Sequence, residues 1–163
     1  MIVGIDTGTT GAIAVLTDDG KYVNVFDMPV TITEYKARYK GEMVNRKRRS
    51  VNAEEVYLIL KQLCDSHDVN RVVLELINSM GNDAAYASMQ MGKSYGIVEG
   101  CLSALPVEVT KVLPRTWKGS MDLKGGDKKS ALVRARKLWP DAPLHLAKHH
   151  NRAEALLLAS YHR

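Results

Sequence analysis

Ile2-Val3-Gly4-Ile5-Asp6-Thr7-Gly8-Thr9-Thr10-Gly11 is a short apolar run that ends in a carboxylate and breaks at once into a Gly/Thr turn. It reads as a buried strand and a tight turn, with an acid held where the strand stops. Outward from it, alternation predicts a second strand over 12–16, a hairpin turn at Asp18-Asp19-Gly20 and a third strand over 22–28, an antiparallel meander. Asn52 with Glu55 three residues later makes an N-cap and capping box, and Val56, Leu58, Ile59, Leu60 and Leu63 carry the helical period to about His67. Residues 71–76 are β-branched and apolar around Glu75, the pattern of a strand buried on both faces. Following a helix, this strand is expected to pair in parallel with the first.

Further along, 83–102 is helical in pattern, and Ser88, Gly92, Gly96 and Gly100 fall on one ridge. A smooth ridge admits close approach, either of the chain's own sheet or of a second copy of the chain. A short strand over 106–112, a turn of helix over 114–121, a helix over 128–139 stopped by Pro140, and a closing helix over 151–161 complete the chain. Three strands, then helix, strand, helix, strand and helices predict an α/β, ribonuclease-H-like fold: a mixed five-stranded sheet with helices on both faces.

At 163 residues the chain fits a single domain spanning 1–163. No window approaches the roughly 18 apolar residues of a membrane span, and no basic leader precedes the first strand, so a cytoplasmic location with no membrane partner is expected. Cys64 and Cys101 read as reduced thiols. The net charge of +5 favours a polyanionic partner. Its distribution says more: Lys36, Arg38, Lys40, Arg46, Lys47, Arg48 and Arg49 lie close together, opposed between them only by Glu42. The surrounding stretch, about 31–51, reads as a long basic loop that neutralises phosphates, with Tyr35 and Tyr39 placed to stack on exposed bases. The plainer alternative is a solvated charge run.

Asp6 at a strand end, Glu75 within an apolar strand and Glu154 on an Ala/Leu-rich helix all sit where an unpaired acid is costly. No Lys or Arg interrupts these three segments at a facing position, so a divalent metal is the simpler counter-ion, and oxygen ligands suit Mg²⁺ or Mn²⁺.

These segments resemble the active-site segments of the RuvC Holliday-junction resolvases, most of all the short bacteriophage members: Gly4-Ile5-Asp6-Thr7-Gly8, then Val73-Leu74-Glu75, then His149-His150-Asn151-Arg152-Ala153-Glu154. Pro114-Arg115-Thr116-Trp117-Lys118, Asp127-Lys128-Lys129 and Trp139-Pro140 extend the likeness along nearly the whole chain. The resemblance implies a homodimer that uses two Mg²⁺ per active site to hydrolyse phosphodiester bonds in four-way junctions and other branched DNA such as forks and flaps. Asp6, Glu75, Asn151 and Glu154 would then be the catalytic metal ligands, with Lys118 and Lys128 on the DNA and His149 and His150 as accessories. Asn151 departs from the family, which has an acid or histidine there; an amide oxygen brings no charge, so Asn151→Asp is expected to raise activity. Two rivals stand beside this reading. One is a junction-binding protein without catalysis; the other is an actin- or sugar-kinase-like nucleotide-binding domain, whose phosphate loop is similar to the 4–11 segment.

Overall fold

The computed structural model describes residues 1–77, 84–123 and 128–161. Strands β1 (Ile2–Asp6), β2 (Ala12–Leu16) and β3 (Tyr22–Asp27) form the expected antiparallel meander, and β2 is buried throughout. Next come two ten-residue strands, β4 (Val30–Tyr39) and β5 (Glu42–Val51), and helix α1 (Ala53–His67). Then follow β6 (Arg71–Glu75), α2 (Ala85–Ser103), β7 (Glu108–Val112), α3 (Pro114–Ser120), α4 (Lys128–Leu138), a 3-10 turn (Ala147–His149) and α5 (His150–Ala159). Asp83, where the helical pattern over 83–102 begins, and Asp127, part of the family likeness, lie outside the described residues.

The five-stranded sheet runs β3-β2-β1-β6-β7, with β6 and β7 parallel to β1. Alternation splits its side chains into two apolar layers. Ala12, Ala14, Leu16 and Val73 pack with Leu156 of α5 and Leu132 of α4 on one face. Ile13, Val15, Val72 and Leu74 pack with Leu60 of α1 and Val98 of α2 on the other. The fold is thus the mixed sheet with helices on both faces. Asn52 caps α1 as its sequence suggests, accepting from the Glu55 N–H and donating to the Glu55 carboxylate at 2.8 Å.

The stretch read as a loop over 31–51 is instead a β-hairpin. β4 and β5 pair from Val30 opposite Val51 out to Tyr39 opposite Glu42. Lys40 and Gly41 close it with φ of 50° and 90°, the two positive values a tight twist-matched turn requires. Charge hid the strands: a ribbon exposed on both faces carries cations on either side without burying any, so polarity there is no sign of irregular backbone. The glycine ridge of α2 also differs from one of its two readings. A Cβ on Gly92, Gly96 or Gly100 would meet nothing within 4 Å, so the ridge does not lie on the chain's own sheet; Ser94, Val98 and Leu102 face inward instead.

Candidate active site

β1 and β6 are parallel neighbours, and Ile5 opposite Leu74 brings Asp6 and Glu75 to the same sheet end as the next residues along. Ile2 and Val73 point into the layer beneath α5, so alternation turns Gly4, Asp6 and Glu75 to that face as well. α5 lies against β1 at Gly4: a Cβ there would collide with the Ala155 carbonyl and the Ala159 nitrogen and stand 2.9 Å from the Ala159 Cα. The missing side chain therefore lets α5 rest directly on the strand, which brings Glu154 to the acids. Gly11 has a similar task, since a Cβ on it would strike the Asp6 carbonyl.

The three acids feel one another. Burial pushes the Asp6 carboxyl up to about 6; the Gly8 N–H opposes this, donating to Oδ1 at 3.3 Å, and the Glu154 charge reinforces it, while Lys118 and His150 pull back down. Burial pushes Glu75 up to about 7, against a 2.6 Å hydrogen bond donated by the Trp117 indole, with the Asp6 charge adding to the rise. Glu154 accepts from the Lys118 ammonium at 3.0 Å, in a pair only 14% and 21% exposed.

The basic side chain that faces these acids is Lys118, named above as a DNA contact and here paired with Glu154. It comes from α3, outside all three segments, so its pairing with Glu154 needed the tertiary fold to reveal it. Among the described residues, no group of three His, Cys, Asp or Glu side chains already stands as a metal cage. The charge count nonetheless fits a divalent ion. Three carboxylates face one ammonium, and the remaining two negative charges are what Asp6 and Glu75 shed by holding protons toward neutral pH.

Asn151, in the first turn of α5, donates its side-chain N–H to the Thr10 carbonyl at 2.5 Å, tying the helix start to the Gly/Thr turn after Asp6. His149 is buried, and its Nδ1 accepts from the Leu146 N–H at 3.4 Å, so its ring finishes the 3-10 turn. His150 Nδ1 lies 3.4 Å from the Ala147 carbonyl. Lys128 is the first residue of α4.

The basic cluster sits on the hairpin rather than a loop. Arg48 covers the Tyr35 ring at 5.1 Å and Arg46 covers Tyr39 at 5.2 Å, so each tyrosine has a guanidinium over one face. Trp117 and the Arg152–Asp27 pair escaped the sequence reading as site residues. Arg152 grips Asp27 with two hydrogen bonds, 2.5 and 2.7 Å long, and holds that carboxyl below its usual range. The partners are 125 residues apart, and no local pattern announces such a pair.

This is a ribonuclease-H-like sheet with coupled acids at the carboxyl ends of its central strands. No family model matches the sequence. The chain is 31% identical over 153 residues to the chloroplastic Holliday junction resolvase MOC1 of Chlamydomonas reinhardtii, an alignment taking in 85% of this chain and 17% of that relative. It spans about a sixth of that relative's length. Its fold is that of Thermus thermophilus RuvC: the structure of RuvC in complex with Holliday junction substrate matches with a TM-score of 0.57 and 18% identity, over 97% of this chain and 89% of the other. Another Thermus thermophilus RuvC structure matches at 0.54 and 16%, over 98% and 92%. The chain thus has the fold of RuvC and resembles the MOC1 resolvase in sequence over 153 residues. No helix among the described residues is long and apolar enough to cross a membrane.

Proposed function

We propose that the protein is a structure-selective endonuclease that resolves Holliday junctions and other branched DNA by metal-dependent phosphodiester hydrolysis, acting as a homodimer in the cytoplasm. The observation that carries this reading is the convergence of Asp6, Glu75 and the Lys118-paired Glu154 at one sheet end, where burial leaves the charge of Asp6 and Glu75 in need of a cation. Asp6, Glu75 and Glu154 would hold Mg²⁺ or Mn²⁺, two ions per site. Asn151 would add an uncharged oxygen, because its amide nitrogen is committed to Thr10. Bound ions of this kind activate water and stabilise the leaving oxygen in an in-line displacement.

The chain's own residues do the rest. Trp117 fixes the Glu75 carboxylate through its indole N–H, and buried Trp117 cannot turn away to solvent. Lys118 balances Glu154 and is close enough to the other acids to act on them. The Gly/Thr turn holds the Asp6 carboxylate through the Gly8 N–H. The basic hairpin supplies phosphate affinity that falls with salt and carries no sequence information.

Nicking of a fixed four-way junction, a fork and plain duplex in Mg²⁺ and in Mn²⁺ tests the proposal. The wild type should cut the branched substrates and spare the duplex. Asp6→Asn should abolish cutting and keep junction binding. Tight junction binding by the wild type with no cleavage in either metal would sink the nuclease reading and favour a non-catalytic binder.

A further inference from the structure

Beside the acids lies a cleft of about 490 Å³, walled by the Gly/Thr turn, the end of β3, the root of β5 and the start of α5. Its floor is Thr9, Thr10 and Gly11; Arg49 and Lys148 reach into it, and Asn151 joins it to the candidate active site. Asp27 is the acid in its wall, and Arg152 already neutralises it through the paired hydrogen bonds described above. The remaining charge in the cleft is therefore positive, and Thr9 and Thr10 add hydroxyl donors.

Arg49 is also the innermost member of a row. In an antiparallel ribbon, opposite residues share a face and the side changes at every step. Arg49 opposes Ile32, Lys47 opposes Glu34 and pairs with it at 3.0 Å, Lys36 opposes Asn45 and Arg38 opposes Met43, so Arg49, Lys36 and Arg38 share one face with the Lys47–Glu34 pair between them. Arg46 and Arg48 fall on the other, where they cover Tyr39 and Tyr35, and Arg48 also lies 5.7 Å from the Tyr86 ring of α2. Alternate residues of a strand stand about 6.7 Å apart, a step suited to successive phosphates of an extended DNA strand.

We infer that the cleft is a phosphate track: Arg49 and Lys148 clamp phosphodiester groups flanking the one placed at the acids, and pass that strand to Lys36 and Arg38 on the same face of the hairpin. This rests on the nuclease reading for which strand lies there, but not on cleavage. The seven cations of the hairpin segment are then not equivalent. One face follows the backbone of the strand, while the other holds the ribbon's own aromatic rings.

Two double variants that remove the same charge from opposite sides test this: Arg49→Ala with Lys148→Ala, and Arg46→Ala with Arg48→Ala. Binding of a synthetic four-way junction is measured without divalent metal across a salt series. The Arg49/Lys148 pair should flatten the slope of log affinity against log salt by about 2, near one for each lost phosphate contact. The Arg46/Arg48 pair should change it by less than half as much. Junctions carrying single methylphosphonates near the cut position add a readout that survives a general loss of stability. Neutralising one phosphate on the track should weaken the wild type at least 3-fold and leave the Arg49/Lys148 variant unmoved. Equal slopes for the two pairs, or the same methylphosphonate penalty in wild type and variant, would overturn the track. A wild type that binds with the expected asymmetry yet never nicks would keep the track and defeat the nuclease proposal.

Discussion

Asn151 is where two effects oppose each other. As aspartate it would lose the N–H given to the Thr10 carbonyl, and two acceptors would then face each other. That bond is solvent-exposed, so its loss costs about 1 kcal/mol. Against this, a new carboxylate beside a divalent ion gains several kcal/mol, since even a unit pair 4 Å apart near a protein surface is worth about 4 kcal/mol. Charge wins wherever metal is limiting. Asn151→Asp should therefore cut junctions several-fold faster at low Mg²⁺ while melting a few degrees lower in EDTA; equal rates for both forms across the Mg²⁺ titration would refute the assignment. Trp117→Phe tests the indole separately. It keeps an aromatic ring, though a smaller one, and removes the hydrogen bond that opposes the rise of the Glu75 carboxyl, so the pH at which nicking switches on should move upward. An unmoved pH profile would mean that the indole only fills space.

The packing of α5 on β1 turns on Gly4. A methyl group there meets backbone rather than a flexible side-chain end, so neither partner yields cheaply. Gly4→Ala should cost at least about 2 kcal/mol in urea unfolding and reduce nicking further than the stability loss alone explains, because α5 carries Glu154 away as it lifts. Wild-type activity in a folded Gly4→Ala variant would remove that link. The acids themselves were legible because each stands out against an apolar segment: Asp6 after Ile2-Val3-Gly4-Ile5, Glu75 after Val72-Val73-Leu74, Glu154 among alanines and leucines. Gly4 was not, since a glycine in a strand does not say which backbone crosses it. The Lys118–Glu154 and Arg152–Asp27 pairings were hidden for the same reason, being contacts between distant parts of the chain. The hairpin was disguised by its charge, although Val30, Thr31, Ile32, Thr33 and Tyr35 had strand character, and its Lys40-Gly41 turn lacks the Asn-Gly or Asp-Gly pair that announces such turns.

The metal-free protein carries the cost of this arrangement as a pH-dependent loss of stability. Asp6, raised from 3.8 to about 6, and Glu75, raised from 4.5 to about 7, hold protons in the folded state that the unfolded chain releases. Their contribution is whole below about pH 4 and is lost as pH rises through 6 and 7, on the order of a few kcal/mol for the coupled pair. His149 opposes this over part of the range. Buried and held below 6.5, it costs stability as pH falls, because the unfolded chain then takes up a proton that the fold refuses. Comparison with Glu75→Gln cancels the histidine, which is common to both proteins. In EDTA, the wild type should lose more of its melting temperature than Glu75→Gln between pH 5.5 and 8. Adding Mg²⁺ should restore it chiefly at the alkaline end, where the carboxylates are ionised and binding stabilises the fold by mass action. Parallel melting curves for the two proteins, with no Mg²⁺ effect at pH 8, would mean that the acids are too far apart or too solvated to share a cation, and the charge argument on which the active site stands would fail.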